Sequence, residues 1–189
     1  LIEKGADPNI PDKFGIYPLQ YAIHKDKFNL IRSLINSDKI DFSKRISTNI
    51  DEDDYDDVNL NDKGRKQDSR LFSTINTKSK YKTYLHLAAT SRNVRILDLF
   101  LQQKYIDINV KDDEGETPLM DAVRAKLSEN IKLLFNDDSL DYRHCNNDGN
   151  DALKIAGYNC ETDDRNSYMM RLLGECDQKA RNAFCFGKL

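Results

Sequence analysis

Long hydrophobic runs and paired cysteines are both missing from this chain of 189 residues. Its apolar runs stop at three or four residues, which argues against a membrane-spanning helix and predicts no membrane insertion. No two cysteines form a Cys-x-x-Cys pair, so idle thiols of an intracellular, cytoplasmic protein are favoured over zinc binding or disulfides. The cysteines are Cys145, Cys160, Cys176 and Cys185.

A strong excess of either charge is also lacking. The 29 lysines and arginines nearly balance the 32 aspartates and glutamates, which argues against a surface dedicated to nucleic acid or to an anionic membrane. The acids themselves are unequal, because 25 are aspartate and 7 are glutamate. Aspartate favours turns and helix caps over helix interiors, so the composition predicts a chain with many turns.

Sequence motifs of catalysis are absent as well. The chain has no Gly-x-Ser-x-Gly, no phosphate-binding P-loop, no His-Glu-x-x-His and no glycine-rich turn between a strand and a helix. Neighbouring acids such as Asp112 and Asp113 fall in predicted turns, where capping and solubility account for them. We therefore predict a protein that is not an enzyme, with no catalytic residue, metal, cofactor or small-molecule substrate.

A helical pattern recurs along the chain. In four places a leading residue is followed at i+3 and i+4 by small or apolar residues, which is one stripe of a short helix. A bulkier apolar triplet begins 12 residues after each of the first three leading residues, and an apolar–Asp–apolar triplet begins 21 residues after them. In the fourth copy, Arg165 takes the first place of the bulky triplet. The leading residues are Leu19, Leu85, Leu119 and Leu153.

This period predicts a repeated unit. Each unit is expected to contain a short helix with small residues, a tight connection, a second and bulkier helix, and an extended finger. The small side chains let the two helices approach closely, and the bulky ones fill the space between units. Neither helix can bury its apolar face alone, so the units must stack, and much of the stability arises at the interfaces between neighbours.

The start of one unit carries a specific motif. Residues 112–119 read Asp-Asp-Glu-Gly-Glu-Thr-Pro-Leu, in which Gly115 supplies a turn, Thr117 can cap a helix and Pro118 suits the first helical position. With this Asp-x-x-Gly-x-Thr-Pro-Leu pattern, the chain resembles the ankyrin-repeat family. The resemblance implies an all-α repeat solenoid of stacked helix-turn-helix repeats joined by β-hairpin finger loops.

The other unit starts follow the family pattern less closely. Residues 12–19 keep the Asp, Gly, Pro and Leu but replace the threonine by tyrosine. Residues 83–89 keep the Thr-x-Leu-His-x-Ala-Ala core, with Tyr81 in the place of the turn glycine. His86 takes the histidine place of that core, where the resemblance implies a structural role in bonding loop backbone between units. Residues 146–153 form the weakest start.

The spacing of the units also predicts an insertion. Leading residues lie 34 apart in the second half of the chain, but Leu19 and Leu85 are 66 apart. A hidden unit between them would bury three unpaired carboxylates of the stretch 51–57, which is prohibitive. The predicted segments are the end of a truncated repeat at 1–11, repeats at 12–44, 78–111 and 112–145, the charged insertion at 45–77 in the finger loop that follows the first of these repeats, and a degenerate repeat with a capping helix at 146–189.

Two interpretations of the insertion stay open. Its acidic stretch at 51–57 is followed by basic stretches at 63–66 and 78–82. A calcium-binding loop is disfavoured, because the required sixth-place glycine is missing and Asp68 stands where glutamate belongs. The segment is either a solvated loop without a specific role, or a partner-binding or phosphorylated one with candidate sites at Ser47, Thr48 and Tyr55.

With no catalytic feature, the surface becomes the functional candidate. In ankyrin-like stacks the finger tips and the exposed ends of the first helices form a concave face for partner proteins. We expect a monomeric, non-enzymatic scaffold that binds a protein partner rather than a nucleic acid. The alternatives are a regulatory or targeting segment of a larger enzyme or pathogen effector, and a structural spacer. By resemblance, the expected partner-binding residues are Phe14, Ile16, His24, Lys25, Lys80, Lys82, Thr90, Glu114, Glu116, Arg124, Asn150 and Tyr158, with Phe14, Ile16 and Tyr158 as the anchors.

Overall fold

The protein folds as a series of short helices joined by tight loops. The computed structural model describes residues 5–47, 81–158 and 171–175. Two short strands, β1 (Ile46–Ser47) and β2 (Tyr81–Lys82), pair antiparallel, and residues 171–175 are helical. The other helices of the described ranges are α1 (Pro18–His24), α2 (Phe28–Ile35), α3 (Tyr84–Ala89), α4 (Val94–Leu101), α5 (Pro118–Arg124), α6 (Ser128–Leu134) and α7 (Ala152–Tyr158).

The helices begin and turn where the local sequence favours it. Thr117 has an extended backbone before α5, and Pro118 takes the first helical position, where its missing N–H costs nothing. Pro18 does the same for α1. In the first and third units the connection between the two helices passes through a left-handed residue, with φ of 49° at Asp26 and 57° at Lys126. The second helix therefore turns back and packs against the first.

The helices form two rows, which confirms the predicted stack. The first helices α1, α3, α5 and α7 contact one another in order, and the second helices α2, α4 and α6 form a parallel row beside them. The small residues of the pattern lie in the first row and its bulky triplets in the second, as the periodicity predicts. Fully buried members are Ala22, Ala88 and Ala122 in the first row, and Ile31, Leu97, Phe100, Ile131 and Leu134 in the second.

Three fingers turn on the same side-chain hydrogen bonds. In the finger before α5, Asp112 Oδ1 accepts the backbone N–H groups of the residues two and four positions later, at 2.9 and 2.8 Å. Asp12 Oδ1 accepts the equivalent pair before α1, and Asn146 Oδ1 accepts it before α7. A positive φ, 73° at Gly115, closes the turn, and a Cβ there would lie 2.6 Å from a neighbouring side chain.

The finger between α2 and α3 departs from this pattern. Ile46 of β1 pairs with Lys82 of β2, in the way that Asp112 and Glu116 are joined by a backbone hydrogen bond in the next finger. Residues 47–81 therefore stand where a turn of three residues stands elsewhere. Ile46 stands where the other fingers have Asp or Asn; it has no side-chain acceptor and is fully buried instead.

This pairing bears on the predicted limits of the insertion. The expected range of 45–77 begins before β1, yet Ile46 is part of the core and Ser47 is paired in the finger. Ile46 and Ser47 therefore belong to the finger, and the inserted segment begins after Ser47. The acidic stretch and most of the candidate phosphorylation sites lie outside the described residues, so both interpretations of the loop stay predictions.

The C-terminal unit is described in part. Helix α7 stacks on α5, which places the weakest predicted unit start in the array. Within 171–175, Leu172 and Leu173 are buried in the common core. The rest of the predicted capping region, including Arg165, lies outside the described residues, and so do all the cysteines except Cys145, which is exposed.

Asparagines in the loops that lead into the fingers link successive units. Asn109 Nδ2 donates to the carbonyl of Ser139 at 2.7 Å, and Asn109 Oδ1 accepts the backbone N–H of Asp141 at 2.7 Å. Asn9 makes the same two bonds to residues 39–41. Each asparagine thus closes two backbone hydrogen bonds across a junction between units.

Replacing Asn109 with alanine should lower the free energy of unfolding by about 0.5–1.5 kcal/mol, because two solvent-exposed hydrogen bonds across a unit junction are lost. Urea denaturation followed by circular dichroism measures this change. Asn136→Ala is the matched control, since Asn136 is an exposed residue after α6. Equal effects of the two substitutions would contradict a role for Asn109 in joining units.

Candidate partner-binding surface

The first finger presents an aromatic side chain to solvent. Phe14 lies in the turn that Asp12 closes, and 44% of it is exposed. Lys13 Nζ lies 4.6 Å from the centre of the Phe14 ring, within cation–π distance. Among the described side chains of the predicted partner-binding set, Phe14 is the most exposed, so it keeps the role of a candidate anchor.

Five other predicted residues are half-buried at the ends of first helices and in finger turns. Arg124, at the end of α5, illustrates them, because 27% of its side chain is exposed while its guanidinium group bonds Glu116. These side chains are partly exposed to solvent, and their role in partner binding stays a prediction. They are His24, Lys25, Glu114, Arg124 and Asn150.

Four predicted surface residues are buried, and their assignment is corrected. Ile16, Lys82 and Glu116 hold the last position of a finger, directly before the residue that precedes the first helix, and this position faces the junction with the next unit. Thr90 follows α3, and its hydroxyl donates to the Leu87 carbonyl at 3.0 Å. The exposed fractions are 7% for Ile16, 4% for Lys82, 5% for Thr90 and 4% for Glu116.

The remaining two predicted residues are not placed. Lys80 lies outside the described residues, and Tyr158 ends α7 with a side chain that is also outside them. By contrast, Tyr81 is 49% exposed in β2 and was missed as a candidate. One sequence feature could have identified Tyr81 as a candidate, because the family pattern has the turn glycine at this position and this chain has a tyrosine.

A cluster of buried charges lies behind the fingers, at the junction of α3 and α5. Lys82 Nζ donates to Asp121 Oδ1 and Oδ2 at 2.8 and 2.7 Å and to Asp112 Oδ2 at 3.0 Å. All three hydrogens of the ammonium group are therefore used. The side chains of both aspartates are fully buried, so one finger and the next unit are joined by an ion cluster that water does not reach.

Burial changes the proton affinity within this cluster. The loss of hydration raises the pKa of Asp121 to about 7, against the opposing pull of Lys82, and the charges of Glu116 and Asp112 add to the rise. Burial alone would lower the pKa of Lys82, but the two aspartates outweigh it and the pKa lies above its usual value. The Lys82 ammonium stays charged, and its single positive charge can neutralise only one of the two aspartate carboxylates.

Glu116 continues the polar contacts toward the fourth unit. Its carboxylate bonds the Arg124 guanidinium, with Arg124 Nε at 3.2 Å from Oε2, and it accepts Asn146 Nδ2 at 3.2 Å. Because Asn146 closes the turn of the next finger, Glu116 connects two consecutive fingers. The fingers that carry the exposed side chains are thus held by buried polar bonds.

His86 has the structural role that the family resemblance implies. Its Nε2 lies 2.9 Å from the carbonyl oxygen of Glu116 in the next finger, and its Nδ1 lies 2.9 Å from the Thr83 hydroxyl. The carbonyl can only accept, so Nε2 carries the proton and Nδ1 is the acceptor. Burial, with the charge of Lys82, lowers the pKa of His86 to about 4, and the ring is neutral near pH 7.

Two other kinds of site, a metal cluster and a membrane-spanning helix, are not found in the described ranges. No group of three or more histidine, cysteine, aspartate or glutamate side chains in them is arranged to hold a metal ion. None of their helices combines the length and the apolar composition needed to cross a membrane.

Comparison with protein families agrees with the repeated architecture. A family model for ankyrin repeats, built of three copies, matches residues 1–112, 59–144 and 85–182. The chain belongs to the ankyrin-repeat family. A comparison with the sequences of curated proteins finds no significant match. Ankyrin repeats are generally protein–protein interaction modules and are typically non-catalytic.

Replacing Lys82 with methionine should destabilise this ankyrin-repeat array by about 3–5 kcal/mol at pH 8, because two buried carboxylates lose their counter-charge. Thermal and urea unfolding measure the loss. Lys132→Met is the matched control, since Lys132 is 46% exposed and pairs with an exposed glutamate of its own helix. A loss below 1 kcal/mol for Lys82→Met would show that the cluster does not hold the junction.

Proposed function

We propose that the chain is a non-enzymatic scaffold that binds a protein partner through the tips of its first two fingers. The observation that carries this proposal is the exposure of Phe14 and Tyr81 on neighbouring fingers, at 44% and 49%. Large aromatic side chains supply much of the binding energy of protein interfaces, since they bury area at a low cost in side-chain entropy. These two are the exposed aromatic side chains that the described fingers carry.

The support behind the fingers favours binding without rearrangement. Asp12 holds the turn that carries Phe14, while the strand that carries Tyr81 also carries Lys82, which is fixed by two buried aspartates. A surface that is ordered before binding loses less conformational entropy on association. The buried polar bonds therefore contribute to partner affinity although their side chains do not touch the partner.

The class of partner follows from the balance of charge near the anchors. Lys13 lies beside Phe14, whereas Asp113, in the next finger, accepts the backbone N–H of Tyr81 at 3.4 Å. A cation thus lies beside one anchor and an anion beside the other, which suits a protein surface of mixed charge better than a polyanion. We place this interaction inside the cell, with the array acting as a monomer.

The double variant Phe14→Ala, Tyr81→Ala should weaken binding of a specific partner at least tenfold, because it removes both anchors. Affinity purification from the native cell with mass spectrometry identifies candidates, and a binding titration with the purified partner measures the loss. Tyr105→Ala is the control, since Tyr105 is 93% exposed but belongs to the loop after α4 and not to a finger turn. If the folded double variant kept full affinity, the assignment of partner binding to the finger tips would be wrong.

A second candidate function has its own observation. Leu30 on α2 is 44% exposed, whereas its counterparts one and two units later, Ile96 and Asn130, are buried. Tyr21 on α1 is 40% exposed, whereas its counterpart Leu87 is buried. The face of the first unit that carries Tyr21 and Leu30 is thus exposed to solvent, whereas later units bury the equivalent face against a neighbour. A covering unit is the arrangement expected if the array is a regulatory or targeting segment of a larger enzyme or effector.

This second function predicts that the native protein is larger than 21.8 kDa, the mass of the present chain. Immunodetection in an extract of the native cell, with an antibody raised against the array, measures that mass. The recombinant chain on the same gel is the control. A single native band that migrates with the recombinant chain would exclude this candidate.

A further inference from the structure

We propose that the junction between α3 and α5 contains a proton-binding site at Asp121, so that this joint is held more tightly in mildly acidic than in mildly alkaline solution. Neither the family assignment nor the proposed partner surface requires such a site. It arises from the particular residues that this chain places at one junction of its stack.

The geometry leaves one buried negative charge without compensation. A single ammonium group, Lys82 Nζ, faces two carboxylates, those of Asp112 and Asp121, and all three side chains are 0–4% exposed. An uncompensated charge in a buried site is costly, and the usual response is that the group takes up a proton.

The hydrogen bonds decide which aspartate takes the proton. Asp112 Oδ1 accepts two backbone N–H groups of its own turn, at 2.9 and 2.8 Å, in addition to the Lys82 bond at Oδ2. Those donors stabilise its charged form. Asp121 accepts bonds from Lys82, and no other donor to it is found among the described residues. Asp121 therefore has the less stabilised carboxylate, in agreement with its raised pKa.

The other titratable groups on the elements around Asp121 do not supply the missing positive charge. Glu116 is buried in the same finger as Asp112 and raises the proton affinity further, although Arg124 partly neutralises it. On α3, His86 is neutral near pH 7 and contributes no positive charge there. The charged side chains of α6 and α7 are exposed, namely Glu129, Lys132 and Lys154.

The sign of the pH effect follows from proton counts. In the unfolded chain an aspartate releases its proton near pH 4, whereas folded Asp121 still holds it up to neutral pH. The folded state thus binds more protons between these values, and stability falls as the pH rises through 7. His86 acts in the opposite sense, since only the unfolded chain protonates it between pH 6.5 and 4.

The test uses the complete chain and the variant Asp121→Asn, which keeps the shape but cannot titrate. We expect the unfolding equilibrium constant of the native chain, relative to that of the variant, to rise about tenfold from pH 6 to pH 8. Asp98→Asn is the control, because Asp98 is exposed on α4, and its ratio to the native chain should not change. A pH-independent ratio for Asp121→Asn would overturn the proposal.

A direct measurement covers the case in which Asp121→Asn fails to fold. Carbon-13 NMR of the aspartate carboxyl groups in the native chain follows the titration of Asp121 itself. A midpoint between pH 6 and 8 supports the site. A midpoint below pH 5, or a neutral-range titration of Asp112 or Glu116 in its place, would overturn it.

Discussion

The structure depends on one constraint, which is that no helix pair of this chain can bury its apolar side alone. The first helices meet through Ala22, Ala88 and Ala122, which are fully buried and short enough to let backbones approach. The second helices fill the remaining space with Ile, Leu and Phe side chains. Since each unit depends on its neighbours for burial, stability is distributed over junctions, and each junction has its own composition.

The junctions differ most in their polar residues. Fingers one, three and four are closed by Asp12, Asp112 and Asn146, whose side-chain oxygens accept the same two backbone N–H groups. Beyond that shared turn, one junction uses the charges around Lys82 and the next uses Glu116 with Asn146. The finger turns therefore share one backbone geometry, while the polar side chains differ from junction to junction. Those side chains determine how each junction responds to pH.

The repeat, the order of its helices and the finger turns could be predicted from sequence because they rest on local spacing. Thr117, Pro118 and Gly115 act within a few residues of each other, so their roles are visible in a short window. The burial of Lys82 could not be predicted in this way, because it depends on Asp121, which lies 39 positions further along the chain. Lysine is usually a surface residue, and only its three-dimensional partners reverse that expectation.

The interrupted finger has a consequence for how the length of this protein can change. Ile46 and Lys82 stay paired although 47–81 replaces a turn of three residues. Closing a chain of that length rather than the shorter turn costs only about 2 kcal/mol, because loop entropy grows with the logarithm of length. The finger is thus a place where evolution or a protein engineer can replace one inserted segment by another of different length. The repeats on either side keep their register because the pairing of Ile46 with Lys82 stays the same.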